Sequence, residues 1–254
     1  MLLKNKNAVV YGAGGTIGGA VARAFAGDGA RVFLAGRKLD PLKKTEKEIV
    51  DSGGEAEAAI VDALDQKEIE EHLDGIRQKA ETIDISFNAI WIRGDLQGTP
   101  LIEMPCEDFT LPVLTGVKTH FLTAAAAARY MVRQKSGVIL TLSASSSVLS
   151  GRDRRFHHIG GFGTACAAIE GLSRSLAGEL GLHGIRVICL RSDAIPESWP
   201  EDAPEVRSYM ENGTALGRLP RLNEIGNAAV FMASDRASAM TGTIANLTCG
   251  SVME

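Results

Sequence analysis

The chain has little cysteine, no excess of charge of either sign and no long apolar run. Its four cysteines, Cys106, Cys166, Cys189 and Cys249, form no Cys-x-x-Cys pair and have no metal-ligand spacing. They read as reduced thiols of a cytoplasmic protein without a metal site. Net charge is −4, with acids and bases spread along the chain, which leaves no electrostatic case for a nucleic-acid or membrane partner. No apolar stretch approaches membrane-spanning length, and the apolar part of Met1-Leu2-Leu3-Lys4 is too short for a signal peptide. Internal repeats, low-complexity segments and a domain-dividing linker are also missing. The expectation is a single domain over residues 1–254, a size that one α/β unit commonly reaches.

What the chain does have is alternation. Apolar residues make up 45% and charged ones 23%, an ordinary balance for a globular protein with a substantial core. Ala8-Val9-Val10-Tyr11 is a buried-strand run, followed by glycines and then a helical face of Ala20, Val21, Ala24 and Phe25. Further strand runs are Arg31–Ala35, Ala58–Val61, Ile83–Phe87, Val138–Leu142, Ile185–Leu190 and Thr243–Leu247. Strands alternating with helical patterns imply βαβ units, hence an α/β fold with a parallel sheet covered by helices on both faces. After Ser192 the prolines Pro196, Pro200 and Pro204 interrupt this pattern, and a mobile flap is expected at about 192–215.

The first strand run leads into Gly12-Ala13-Gly14-Gly15-Thr16-Ile17-Gly18. Glycines between a strand and a helix let the backbone turn sharply and approach a pyrophosphate, which the helix N-terminus then attracts. A tight turn without ligand is the alternative. The second strand run ends in Gly36-Arg37-Lys38. An acid there would bind the ribose 2′-hydroxyl of NAD, whereas an Arg accommodates the 2′-phosphate of NADP. With no acid and two cations, NADP(H) is favoured over NAD(H); a solvated loop charge is the other reading of Arg37.

These stretches carry a resemblance. "YGAGGTIGGAVARAFAGDGARVFLAGR", "AAIEGLSRSLAGELGLHGIRV" and "ALGRLPRLNEIGNAAVFMASDRASAMTG" make the chain look like a short-chain dehydrogenase/reductase of the classical type along nearly its whole length. Asp62 matches that family's adenine-contacting Asp, and "FNAI" at Phe87–Ile90 is a worn form of its Asn-Asn-Ala-Gly motif, keeping Asn88 and Ala89. The resemblance implies a Rossmann-type, doubly wound sheet. It also implies a cofactor site on Gly12, Gly15, Thr16, Ile17, Gly18, Arg37, Lys38, Asp62, Asn88, Ala89 and Ile195. A homotetramer or homodimer is implied too, with the helix after Phe162 packing between subunits. That helix carries an apolar stripe, Ile169, Leu172, Leu176 and Leu180, and a small-residue stripe, Ala167, Gly171, Ser175 and Gly178. Core packing alone would also account for both stripes.

Members of the family usually carry Asn, Ser, Tyr and Lys as a catalytic set. The matching positions hold Gly116, Ala144, Phe162 and Cys166. Phe162 has no ionisable proton, and a positioned acid or base is worth roughly 10²–10⁴ in rate. Nothing from Gly160 to Ile169 titrates except Cys166, which offers a thiol or, near a helix N-terminus, a thiolate. Replacement donors are Cys166, a serine of 143–147 with Ser145 foremost, and His157 or His158 in the extended "SGRDRRFHHIGG" segment. Arg152, Arg154 and Arg155 there read as solvated charge or as an attraction for an anionic substrate, and His120 reads as packing. Asp193 and Glu197 bring negative charge towards the nicotinamide side, and Trp91 and Arg93 are candidate pocket residues. The expectation is an NADP(H)-dependent oxidoreductase with catalytic candidates Ser145, His158 and Cys166, acting on a small carbonyl, alcohol or activated alkene. The alternative is a non-catalytic dinucleotide-binding protein, a sensor or assembly component, on the same fold.

Overall fold

The computed structural model describes residues 1–148, 158–199 and 203–253. Seven strands form one parallel sheet: β1 (Asn7–Tyr11), β2 (Arg31–Gly36), β3 (Glu55–Ile60), β4 (Ile85–Asn88), β5 (Gly137–Ala144), β6 (Ile185–Ser192) and β7 (Ile244–Leu247). Their order is β3-β2-β1-β4-β5-β6-β7, so the winding reverses between β1 and β4. All seven strand runs anticipated above are present, most with ends moved by one to three residues. Such an order is the doubly wound arrangement, and it opens a crevice at the carboxyl ends of the strands where the direction changes.

Period-2 alternation assigns the core. Val10, Val32 and Leu34 face one layer with Val21 and Phe25 of α1 (Thr16–Gly27), Leu42 of α2 (Leu39–Asp51) and Ile225 of α7 (Leu222–Ala233). Their neighbours Val9, Tyr11 and Phe33 face the other layer. There they meet Leu73 of α3 (Gln66–Ala80), Ala127 of α4 (Cys106–Gln134) and Ala177 of α5 (Gly160–Leu180). Both faces of the strands are therefore buried, which is why their sequences are continuously apolar. The apolar stripe of α5 belongs to this packing, with Ile169 fully buried and Leu176 and Leu180 against the second layer. The small-residue stripe does not, since Ala167, Gly171, Ser175 and Gly178 are exposed.

Helix termini are set by local chemistry. Asp65 caps α3, its Oδ1 accepting from the backbone N–H of Lys67 at 2.8 Å and of Glu68 at 3.2 Å. The start of α5 lies directly on α4: a Cβ at Gly161 would come within 1.9 Å of the Phe109 carbonyl oxygen. Only glycine permits that approach. The stretch expected as a flap contains one 3₁₀ turn, Pro196–Ser198, and a short helix, α6 (Pro204–Glu211); residues 200–202 lie outside the described ones. The flap's far end is tied down, Leu216 N–H donating to Cys249 O at 3.1 Å. Among the described residues no helix is long and apolar enough to cross a membrane.

Candidate functional site

A cavity of about 780 Å³ opens at the carboxyl ends of β1, β4, β5 and β6, the place the strand order prescribes. At one end stands the turn from β1 into α1. Gly12 has φ +78°, and a Cβ there would meet the Ala89 carbonyl oxygen at 2.6 Å, so the turn needs glycine on both counts. Gly15 is the N-cap of α1 and provides no side-chain cap, and the first turn holds no acid. The first N–H groups of α1 are thus left without side-chain partners, and Gly15, Thr16 and Ile17 line the cavity. Uncapped amides at a positive helix end, in a turn kept clear of side chains, fit the pyrophosphate of a dinucleotide. Gly18, one residue further along α1, is buried against Gly12 O, where its own Cβ would come within 2.3 Å.

Of the other expected cofactor residues, Ala89 and Ile195 line the cavity and Arg37, Lys38, Asp62 and Asn88 do not. Arg37 and Lys38 are exposed at the end of β2. Asp62 follows β3, its Oδ1 accepting from Leu64 N–H at 2.9 Å. Asn88 acts from behind the wall: its Nδ2 donates to Thr123 Oγ1 at 3.0 Å and its Oδ1 accepts from Ile90 N–H at 2.9 Å. Both ends of that side chain are engaged in holding the Ala89–Ile90 turn.

At the other end, Ser145, His158, Phe162 and Cys166 line the same cavity; the fold brings the catalytic candidates together. His158 is anchored through its carbonyl oxygen, which accepts from Gly98 N–H at 2.9 Å. His157 and the arginines Arg152, Arg154 and Arg155 lie outside the described residues. Cys166 is corrected in one respect: it is not a stabilised thiolate. It sits well inside α5, beyond the first turn where a helix dipole acts, fully buried among Ile92, Ile169 and Cys189. Burial pushes its thiol up to about 12. Phe162 contributes a ring beside Gly94, where a Cβ would lie 3.7 Å from Phe162 Cε2. At Gly116 a Cβ would be 3.3 Å from Ile92 Cγ1 and 3.5 Å from Ala165 Cβ, so the space of an Asn side chain is occupied. His120 is buried on α4, its Nδ1 2.9 Å from Gly116 O, and burial pushes it down to about 4.

Two carboxylates matter that sequence reasoning left in the background. Asp193, at the end of β6, accepts from Ser145 Oγ at 3.1 Å and from Ala194 N–H at 2.7 Å through Oδ1. Its Oδ2 accepts from Ser251 Oγ. Glu170, on α5, accepts from Ser143 Oγ and Ser147 Oγ at 2.7 Å each and pairs bidentately with Arg191 of β6 at 2.8 and 2.7 Å. Burial opposes the charge of Glu170, but the bonds from Arg191 and the two serines outweigh it and hold the carboxyl below its ordinary range. Ser145 therefore stands between two serines clamped from behind. A signal for this pair existed: Arg191 stands in the strand Ile185-Arg186-Val187-Ile188-Cys189-Leu190-Arg191, and a cation in a buried strand demands a partner. Trp91 and Trp199, both of the chain's tryptophans, also line the cavity. Arg93 instead stands over the Trp91 ring at 5.8 Å and pairs with Asp95. Among the described residues no three His, Cys, Asp or Glu side chains are grouped to hold a metal ion.

The chain is similar in sequence and fold to known proteins. The family model described as enoyl-(acyl carrier protein) reductase matches residues 12–251. The 7alpha-hydroxysteroid dehydrogenase of Escherichia coli is 29% identical, over 99% of this chain and 96% of its own. A short-chain type dehydrogenase/reductase from Mycobacterium marinum superposes with a TM-score of 0.88 at 30% identity, covering 99% of this chain and 97% of that one. A solved 7 alpha-hydroxysteroid dehydrogenase, complexed with NADH and 7-oxo glycochenodeoxycholic acid, gives 0.87 at 29% identity, covering 99% and 96%.

Proposed function

Because the chain belongs to the short-chain dehydrogenase/reductase family, we propose that it is an NADP(H)-dependent oxidoreductase of the cytoplasm whose proton-transfer site has been rebuilt. One observation carries this reading. The glycine-lined, uncapped start of α1 opens into the same cavity as Ser145, His158 and Asp193. The first end would hold a pyrophosphate, and Arg37 and Lys38 would take the 2′-phosphate. When bound, the dinucleotide supplies or accepts the hydride; the chain's own groups must move the proton. A substrate of largely apolar skeleton suits the walls, where Trp91, Trp199, Phe162 and Met210 stand and no described Lys or Arg does. The solved relative named above holds NADH. Here the residue after β2 is a cation and not an acid, which supports the phosphorylated cofactor.

Titration of nucleotide-free protein with NADPH and NADH tests the reading. NADPH is expected to bind at least about tenfold more tightly, roughly 1.4 kcal/mol, and Arg37→Ala with Lys38→Ala should bring the two together. Binding of neither would sink the oxidoreductase reading. A second reading, a dinucleotide sensor, draws on the loss of both titrating groups at Phe162 and Cys166; cofactor binding without turnover of any alcohol or carbonyl would favour it. We propose a homodimer or homotetramer as well, supported by the exposed small residues of α5 beside Leu114 and Phe121 of α4, which are 65% and 50% exposed. Sedimentation of the same sample reads that state.

A further inference from the structure

The cavity that Phe162 and Cys166 leave without a proton carrier contains a carboxylate at its reactive end. Among the described lining residues Asp193 is the only acid, and no Lys or Arg accompanies it. Its hydrogen bonds fix the direction of every proton around it. An ionised carboxylate only accepts, so Ser145 and Ser251 both donate to Asp193, as does Ala194 N–H. With its one proton turned to Asp193, Ser145 presents only lone pairs to the cavity. A lone pair is complementary to a hydroxyl and repels a carbonyl oxygen.

We propose that Ser145 and Asp193 form a proton relay for the oxidation of a secondary alcohol on a flat, apolar skeleton, with Asp193 as the terminal base. This rests on the oxidoreductase reading above. The alcohol O–H bond breaks towards Ser145 Oγ while the Ser145 proton passes to Asp193 Oδ1. The carbinol carbon loses its hydrogen with two electrons to the oxidised nicotinamide dinucleotide, and the C–O bond becomes C=O. The proton on Asp193 is then released to water. Phe162 supplies a flat wall in place of the family's tyrosine, and the Glu170–Arg191 clamp holds the strand end that aims Ser145. Among the described residues the other ionisable groups near Asp193 are His158 and Cys166, which line the same cavity, Cys249 with Arg218, and the Glu170–Arg191 pair.

The test begins with binding. A carboxylate at the reactive end favours the cationic oxidised nicotinamide over the neutral reduced one. The ratio of NADP⁺ to NADPH affinity is therefore expected to fall by about tenfold in Asp193→Asn, and to stay unchanged in Ser145→Ala, which keeps the charge. An unchanged ratio in Asp193→Asn overturns the relay. Failure of the wild type to bind either nucleotide overturns the oxidoreductase reading itself, a distinct outcome. The matched pair 1-tetralol and 1-tetralone, followed by quenching of the two cavity tryptophans, tests the substrate side. Tighter binding of the alcohol in the wild type, with parity in Asp193→Asn, is expected. Equal or tighter binding of the ketone, or binding of neither, overturns the flat alcohol as substrate.

Discussion

Cys166 and Cys106 have the same side chain and opposite chemistry. Cys106 is exposed at the start of α4, whereas Cys166 and Cys189 are buried. Since the thiolate is the reacting form and Cys166 is pushed up to about 12, a thiol reagent at pH 8 should label Cys106 readily. Cys166 and Cys189 should react only on unfolding, as mass spectrometry of the labelled peptides would show; fast labelling of Cys166 in the native protein would contradict its assigned burial. The same comparison marks what was legible. Gly12 and Gly15 form the strand-to-helix turn that their spacing predicts, and Gly15, Ala89, Ile195, Ser145, His158 and Cys166 all line one cavity. The partner of Ser145 was not legible, because Asp193 lies 48 residues away and Ser251 a further 58. Periodicity reports on neighbours along the chain, and such pairs are made only by the sheet.

At the scale of elements, α5 is joined to β5 and β6 by one buried ion pair. Glu170 is 3% exposed and Arg191 0%. Such a pair is a weak source of net stability while whole, but removing one partner leaves a buried charge uncompensated. Glu170→Gln should cost about 3–5 kcal/mol in urea unfolding, whereas Ser147→Ala, which removes one donor to the carboxylate, should cost about 1.5–3 kcal/mol. Equal losses would mean that the charge is not what holds these elements. The sign with pH follows from the lowered carboxyl: the stabilisation is present above the ordinary carboxylate range and disappears as pH falls below it. Strand existence was readable throughout because each run is rich in apolar, β-branched or aromatic residues. Strand ends were less so, as at β3, where Glu55 and Glu57 lengthen an edge strand that has water on one side. Edge strands tolerate charge that central ones do not.

For the whole molecule, the buried His120 and the half-buried His72 set the response to mild acid. Burial pushes His120 and His72 each from 6.5 down to about 4. The unfolded chain binds those protons near pH 6.5 and the native protein does not until about pH 4, so stability is full above 6.5 and falls across that interval. For His120, which is 1% exposed, the loss is on the order of 3 kcal/mol by pH 4. Urea unfolding at pH 7, 6 and 5 should show it, and His120→Asn should flatten the curve; a flat wild-type curve would mean that neither histidine stays neutral.

The route by which the cavity closes has one more consequence. Its glycine end, Gly15 to Ile17 with Ala89 and Ile90, comes from the first half of the chain, while Leu216 is held by Cys249 O and Asp193 by Ser251. On the ribosome the segment of residues 12–90 emerges long before Ser251, and folding tends to begin with what emerges first. The nascent protein is thus assembled from its cofactor grip towards its chemistry. Ser251, which donates to Asp193, follows every described strand in the chain, so the Asp193 end of the cavity is completed after its glycine end.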